Sequence, residues 1–168
     1  MQAPVLSLGR AAGAGQDAGM DVAVRTAAAD DAPAIASLIE TAYAATIAPH
    51  FGKRGREAFL NTAAVSSIEA RLAGDAEAWV AVRPDKSIVG YAEMDGDHLK
   101  MLFVRHELQR SGIGSALLRF LRVLRSGQMV TVNVAPNADA FYLAMGFKPT
   151  GPRQQSNGVV FTPMECKF

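Results

Sequence analysis

The residues best suited to chemistry lie in the segment 109–115, which reads Gln-Arg-Ser-Gly-Ile-Gly-Ser. It follows an apolar stretch at 99–104 and opens a segment, 112–125, whose leucines repeat at helical spacing. The first N–H groups of a helix lack intrahelical partners and favour an anion, and glycine lets a phosphate approach the backbone. The loop is neither a Gly-x-Gly-x-x-Gly motif, because Leu117 takes the last glycine position, nor a Gly-Lys-Ser/Thr motif. It therefore predicts a phosphate-binding helix N-terminus of another kind.

A second group of polar residues follows the apolar run at 129–134. Asn137 stands immediately before Ala138, a position typical of a helix N-cap, and Tyr142 falls within a predicted short helix at 138–145. A positioned phenol can give a proton to a leaving group. An aromatic residue on a short helix is also an ordinary core residue. The residues alone leave both interpretations of Tyr142 open.

Together these segments resemble a known family. The pattern Gln109-x-x-Gly112-x-Gly114 is similar to the Q/R-x-x-G-x-G/A signature of the GCN5-related N-acetyltransferases, the GNAT superfamily. The preceding strand and the downstream run 132–137, followed by Phe141-Tyr142, also resemble that family, and the likeness extends from residue 22 to the C-terminus. It implies an acetyl-CoA-dependent N-acetyltransferase.

The resemblance also implies roles for individual residues at the donor side. Backbone groups of the central strand would pair with the pantetheine arm of acetyl-CoA, namely those of Leu102, Phe103 and Val104. The loop would cradle the pyrophosphate through the N–H groups of Gln109, Arg110, Ser111, Gly112, Ile113, Gly114 and Ser115. Asn137 would contact the cofactor arm, and the Tyr142 hydroxyl would act as general acid toward the departing CoA sulfur. Arg110 is either a phosphate-binding cation or a solvated turn residue.

The general base and the acceptor site are less determined. Glu93 and His98 lie on adjacent predicted strands near the expected opening of the sheet, and either of them is a candidate for the base. By resemblance, the acceptor wall includes Tyr43, His50 and Phe51 and a polar stretch with Arg153. The lack of an Asp or Glu cluster there favours a small or singly charged amine over a polycation, with Arg153 either binding an acceptor carboxylate or lying free in solvent.

Composition excludes several classes of protein. The 168 residues carry 17 Lys and Arg against 16 Asp and Glu, so there is no basic footprint for a nucleic acid. No apolar run is long enough to cross a membrane, and the single Cys166 cannot form an internal disulfide. The three histidines have no metal-ligand spacing. We therefore expect a cytoplasmic protein with no metal, no membrane contact and no nucleic-acid partner.

The element order predicts the fold. Residues 1–19 are rich in Gly and Ala without periodicity, which predicts a flexible tail before a domain at 20–168, and Met20 is an alternative start. Helical spacing predicts helices at 31–47, 55–61, 66–73, 112–125 and 138–145. Alternation predicts strands at 22–26, 78–82, 87–94, 98–104, 129–134, 147–150 and 159–164, with a polar loop before the last. The continuous apolar run at 129–134 indicates a strand buried on both faces.

These elements form an α/β architecture: a mixed, twisted sheet of about seven strands with helices on both faces. By resemblance, strands 98–104 and 129–134 are parallel and splay apart at their C-terminal ends to admit the pantetheine. The predicted function is acetyl transfer from acetyl-CoA to a small-molecule primary amine by direct attack in a ternary complex. A protein or peptide amine acetyltransferase and a non-catalytic CoA-binding module are the alternatives, and monomer and homodimer are both open.

Overall fold

The computed structural model describes residues 21–168, so the predicted tail at 1–19 lies outside the described residues. The helices are α1 (Ala32–Thr46), α2 (Lys53–Ala63), α3 (Val65–Ala73), α4 (Ile113–Leu124) and α5 (Asp139–Ala144). The strands are β1 (Ala23–Thr26), β2 (Glu77–Val82), β3 (Ile88–Asp95), β4 (His98–Val104), β5 (Met129–Val134), β6 (Lys148–Pro149), β7 (Gln154–Ser156) and β8 (Val159–Lys167). All predicted helices and strands are present, although β6 is only two residues long and β8 extends three residues beyond its prediction.

The strands form one mixed sheet in the order β1-β2-β3-β4-β5-β8-β6, with β7 pairing β8 outside this path. Neighbours are antiparallel except β4 and β5, which are parallel. β7 is the strand that sequence reasoning missed, because its exposed polar residues have no apolar alternation. Asn157 (φ 51°) and Gly158 (φ 79°) turn it back onto β8, and an Asn-Gly pair is the strongest short-range hairpin signal.

Helices cover both faces of the sheet, as predicted. On one face α1 and α3 bury Ile35, Ile39 and Ile68 against side chains of β2, β3 and β4. On the other face α4 buries its leucine stripe against β2, β3 and β5, and α5 adds Tyr142 to the same core. No helix of the described part of the chain is long and apolar enough to cross a membrane.

Gly90 sets how closely α4 approaches the sheet. A Cβ atom at this position would lie 2.9 Å from the Ile113 side chain and 3.0 Å from that of Leu117. Only glycine leaves this space. Because Ile113 is the first residue of α4, this contact fixes the beginning of that helix, and the loop before it, over the centre of the sheet.

β4 carries a bulge and then separates from β5. Glu93 of β3 faces Met101, and the next residue, Met94, faces Leu99, so Lys100 is the extra residue. β4 pairs with β5 only through His98 and Leu99, opposite Thr131 and Val132. Beyond Leu99 the two parallel strands diverge, which confirms the predicted splay. The backbone of β4 there lacks a strand partner on its β5 side, which is an opening for another extended chain.

The burial expected for β5 is wrong. Val130, Val132 and Val134 are buried, but Met129, Thr131 and Asn133 are exposed. The cause is the position of the helices: α4 covers one face of the sheet, whereas α1 packs on β3 and β4 and leaves the outer side of β5 uncovered. The apolar run therefore overstated burial, because Met129 and the Thr131 methyl group count as apolar without lying in the core.

Candidate active site

The separation of β4 from β5 opens a cleft of about 910 Å³. Its walls come from all of β4, the loop before α4, the end of β5, the first turns of α5, the end of α1, Phe51, Phe59 and the β7–β8 hairpin. The cleft therefore combines backbone from the centre of the sheet with side chains from segments distant in the sequence. Most of the residues predicted to touch the cofactor line it, namely Leu102, Phe103, Val104, Gln109, Arg110, Gly112, Gly114, Ser115, Asn137 and Tyr142.

One end of the cleft is a cradle of free backbone N–H groups. The first helical hydrogen bond of α4 runs from the Ala116 N–H to the Gly112 carbonyl, so earlier N–H groups have no helical acceptor. The N–H groups of Gln109 and Ser111 donate to His106 and Leu108, within the turn. Among the described residues, the free donors are therefore the N–H groups of Arg110, Gly112, Ile113, Gly114 and Ser115. Their concentration at a positive helix end suits the two phosphates of a pyrophosphate.

The loop reaches this shape through two residues with positive φ. Arg110 has φ 64° and Gly112, the N-cap of α4, has φ 86°. A Cβ on Gly112 would meet no atom within 4 Å, so the glycine is required by the backbone conformation and not by crowding. Gly114 is crowded instead, because a Cβ there would come 3.1 Å from the Phe141 ring. This contact joins the cradle to α5, which carries Tyr142.

Tyr142 is buried by its neighbours yet lines the cleft. Its ring lies edge-on to Phe141 and to Phe147, with both pairs of ring centroids 5.2 Å apart. No residue of the described chain hydrogen-bonds to its hydroxyl, and that hydroxyl is not enclosed. Burial raises the pKa of Tyr142, so the phenol keeps its proton near neutrality. The side chain thus places a protonated phenol at the wall of the cleft.

Asn137 lines the cleft but does not cap α5. The helix begins at Asp139, its N-cap is Ala138, and no side chain hydrogen-bonds to the cap position. The predicted capping role is therefore wrong, because the chain makes a further turn, Ala138 N–H to the Ala135 carbonyl, before the helix begins. This leaves the Asn137 amide available to a ligand in the cleft.

The two candidates for the general base occupy different environments. His98 lines the closed end of the cleft, where its Nδ1 lies 2.9 Å from the Thr131 hydroxyl. Burial lowers the pKa of His98, and the nearby Asp95 carboxylate opposes that shift only partly. The imidazole is therefore neutral and able to accept a proton at pH 7.

Glu93 does not line the cleft; it is 2% exposed, beneath the sheet surface. Its carboxylate accepts hydrogen bonds from Arg71 Nε at 3.0 Å, Lys100 Nζ at 3.0 Å and the Tyr91 hydroxyl at 2.5 Å. Burial alone would raise the pKa of Glu93, but these three donors outweigh it and hold that pKa below its ordinary value. Such a saturated carboxylate is a poor proton acceptor. The geometry gives no support to Glu93 as the base.

The aromatic wall of the cleft is built from α1, α2 and the turn between them. Phe51 and Phe59 line the cleft, whereas Tyr43 lies behind them, 4% exposed, with its ring stacked on Phe59 at 4.2 Å between centroids. The Tyr43 hydroxyl is buried without a hydrogen-bond partner among the described residues. Phe59 was missed by sequence reasoning because its helix is mostly polar, and only its place across from Phe103 reveals the role.

One predicted acceptor residue, Arg153, is engaged elsewhere in the fold. Arg153 pairs with Asp139 at 2.5 Å and does not line the cleft. The side chain of His50 lies outside the described part of the structure. Lys100, which no pattern in the sequence singled out, does line the cleft, because the β4 bulge places it there. Within residues 21–168, no group of three or more His, Cys, Asp or Glu side chains is placed to hold a metal ion.

Comparison with known proteins agrees with this geometry. Among curated proteins, the chain is similar to the peptidyl-lysine N-acetyltransferase YjaB of Salmonella typhimurium, at 36% identity over 78 residues. That match covers 46% of this chain and 54% of YjaB, so the chain spans about half the length of the curated relative.

Solved structures show the same fold. A protein described as a GCN5-related N-acetyltransferase (Aminotransferase, Class-II) from Rhodopseudomonas palustris superposes with a TM-score of 0.74 at 23% identity, covering 88% of this chain and 96% of that one. The PaiA N-acetyltransferase from Thermoplasma acidophilum, solved in complex with coenzyme A, gives a TM-score of 0.72 at 16% identity, covering 89% and 100%. Residues 47–168 match the family described as the acetyltransferase (GNAT) domain, and the chain belongs to that family.

Proposed function

We propose that the protein transfers the acetyl group of acetyl-CoA to a primary amine. The observation that carries this proposal is the cleft itself, where β4 loses its strand partner after Leu99 and a cradle of free N–H groups stands at the far end. A ligand with a pyrophosphate and an extended amide-bearing arm fits both features at once, because the cradle suits phosphates and the open strand edge suits amides. Acetyl-CoA has that chemistry.

The direction of the arm follows from the two ends of the cleft. The cradle follows the C-terminal end of β4, and the gap closes at Leu99. An arm that starts at the cradle and runs along β4 therefore ends near the bulge, between His98 and Met101. Tyr142 lines the same cleft from α5.

The proposed reaction is a direct transfer. The amine lone pair forms the new C–N bond at the thioester carbonyl carbon, and the C–S bond breaks. The amine loses one proton to a base, for which His98 is the better-placed candidate, and the thiolate of CoA gains one from the Tyr142 hydroxyl. Because burial raises the pKa of Tyr142, its phenol is protonated before this step and takes a new proton from solvent afterwards.

The acceptor is proposed as a small-molecule amine, since no Asp or Glu of the described chain lines the cleft to hold a polycation, and Phe51 and Phe59 supply an apolar wall. A peptidyl lysine is the second candidate, because the two curated relatives, whose matches cover 46% of this chain, are named peptidyl-lysine N-acetyltransferases. A lysine side chain is long enough to present its amine inside the cleft, so both kinds of acceptor would offer the same primary amine to the thioester.

The test is an acceptor screen. Purified protein is incubated with acetyl-CoA and, separately, with amino acids, simple amines, polyamines, aminoglycosides and lysine peptides, and free CoA thiol is measured. We expect amine-dependent CoA release and a product 42 Da heavier by mass spectrometry, the mass of an added acetyl group. Tight CoA binding without release for any acceptor would instead favour the non-catalytic CoA-binding module.

A further inference from the structure

Apart from Tyr142, the ionisable side chains that line the cleft are all basic. They are His98, Lys100 and Arg110, and no Asp or Glu of the described chain lines the cleft. Arg110 belongs to the phosphate cradle, whereas Lys100 is the bulge residue at the other end. The end of the cleft where the acceptor must meet the thioester therefore carries a lysine and no carboxylate.

The ammonium of Lys100 is only partly used by the protein. Its Nζ donates to Glu93 Oε1 at 3.0 Å, and the side chain remains 35% exposed. A lysine ammonium has three N–H groups, so two remain for water or a ligand. Because a bulge residue is displaced from the regular alternation of its strand, Lys100 and Met101 are both on the α1 side of β4.

The charge of Lys100 is not cancelled by its partner. Glu93 is shared with Arg71, whose Nε and Nη2 lie 3.0 Å and 3.2 Å from the carboxylate oxygens. Two cations on one carboxylate leave one net positive charge, and Arg71 is the more buried of the two cations. Lys100, which lines the cleft, is therefore the more accessible of the two cations that share this surplus charge.

We propose that Lys100 is a specificity-determining residue that selects acceptor amines carrying a carboxylate, and discriminates against diamines and polyamines. This inference rests on the proposed acetyl transfer and names its acceptor class. The attraction acts across a partly desolvated cleft, where a charge interaction is stronger than in bulk water. A second ammonium on the acceptor would meet Lys100 without any carboxylate to neutralise it.

The test uses three acceptors of equal length that differ only in the charge of one end. These are 4-aminobutanoate, 4-aminobutanamide and butane-1,4-diamine. In the unmodified protein we expect the highest kcat/KM for the carboxylate and the lowest for the diamine. Lys100→Met should lower kcat/KM for 4-aminobutanoate about tenfold and change kcat/KM for 4-aminobutanamide less than twofold. It should raise kcat/KM for butane-1,4-diamine and leave the KM for acetyl-CoA unchanged.

Two further variants separate recognition from packing. Lys148→Met removes an exposed lysine from β6, outside the cleft, and should leave kcat/KM for all three acceptors unchanged. Lys100→Arg restores the cation and should restore the preference for the carboxylate at least in part. An equal loss for all three acceptors in Lys100→Met, or no preference for 4-aminobutanoate in the unmodified protein, would overturn the inference.

A binding measurement distinguishes this inference from the proposed function. The three amines are titrated by calorimetry into protein saturated with CoA. Tighter binding of 4-aminobutanoate that Lys100→Met weakens about tenfold supports selection by Lys100 even if no acetyl transfer occurs. Equal affinities for the three amines, or no binding of any of them, would contradict the inference, whatever the activity screen shows.

Discussion

The two ends of the cleft are built from different materials. The donor end is main chain: free N–H groups of the loop before α4 and the unpaired edge of β4. The side of the cleft proposed for the acceptor is side chain: Phe51, Phe59 and Lys100 line the cleft from a turn, a helix and a strand bulge. A main-chain site recognises groups that any member of the family must bind, such as phosphate and amide. A side-chain site changes with each substitution. Family membership therefore predicts the donor, whereas the acceptor has to be inferred from the side chains of this chain.

Tyr142 lines the cleft from α5, and its loss should have the largest effect on activity. Tyr142→Phe removes the only hydroxyl proposed to protonate the departing thiolate. We expect kcat to fall at least ~100-fold, the usual size of a lost general acid, while the affinity for CoA stays within twofold. Stopped assays of CoA release and calorimetric titration of CoA measure the two quantities.

The matched control is Tyr91→Phe, which removes the hydroxyl of another buried tyrosine, one that donates to Glu93 and does not line the cleft. Its kcat should remain within threefold of the unmodified protein. If both variants lose activity equally, the Tyr142 hydroxyl has no special role in the chemistry.

Glu93 sharpens the comparison, because it supports the acceptor end without facing it. Glu93→Gln leaves Arg71 and Lys100 without a counter-charge, and breaking a buried ion pair in this way costs about 3 kcal/mol of unfolding free energy. The folded protein should nevertheless keep a kcat within threefold, since the structure does not place this carboxylate in the cleft. Urea unfolding and steady-state assays on the same samples test both expectations. A kcat loss of 100-fold or more in the folded variant would restore Glu93 as the base.

The effect of Glu93 on stability also depends on pH with a defined sign. Its folded pKa is held below the ordinary value, so its contribution is fully present above the unfolded pKa of about 4.3 and is lost as pH falls through the folded value. The gap in unfolding free energy between the unmodified protein and Glu93→Gln should therefore be largest near pH 7 and shrink below about pH 4. A gap that grows on acidification would mean that the carboxylate is not ionised in the fold.

A pair of glycines isolates the main-chain character of the donor end. Gly112 has φ 86° and Gly127 has φ 85°, and a Cβ on either would meet no atom within 4 Å. Alanine at each position should therefore cost a similar ~1–2 kcal/mol of unfolding free energy, because both require a left-handed backbone. Only Gly112 belongs to the cradle, so only Gly112→Ala should raise the KM for acetyl-CoA, by about tenfold. Equal KM values for the two variants would show that the cradle does not hold the donor.

Substitution of His98 should have the smallest effect on activity at pH 7 and a distinct effect on the acid side of the pH profile. Burial keeps its pKa below the usual 6.5, so the neutral, proton-accepting form dominates at pH 7 and is lost at lower pH. If His98 takes the proton of the amine, kcat/KM should decline as pH falls through a pKa below the usual 6.5, and His98→Asn should remove that decline and lower kcat about tenfold. A pH profile with the same acid limb in both proteins would assign the base to another group or to water.

The fold and the donor end were predictable because their signals are local. The loop glycines, the helical spacing of α4 and the family motif at 109–114 all fall within one short segment. The acceptor end had no such signal. Phe59 lies on a mostly polar helix, and Lys100 depends on a bulge that the alternation of β4 does not show.

The residues that were misjudged share a related cause. Arg71, Tyr91 and Lys100 surround Glu93 from α3, β3 and β4, so its saturated environment is a property of the tertiary structure. Arg153 is taken by Asp139 in the same way. A sequence reveals that a charged residue exists, but whether that charge is free or paired depends on which elements the fold brings together.

The central claim is that the gap between β4 and β5 receives the arm of the donor in place of a paired strand. Amide hydrogen exchange, measured by mass spectrometry with and without saturating CoA, tests it most directly. We expect slower exchange in residues 101–104 and 110–115 when CoA binds. Exchange should stay unchanged in residues 163–167 of β8, which already pair with β5. Slower exchange confined to other segments, with residues 101–104 unaffected, would contradict it.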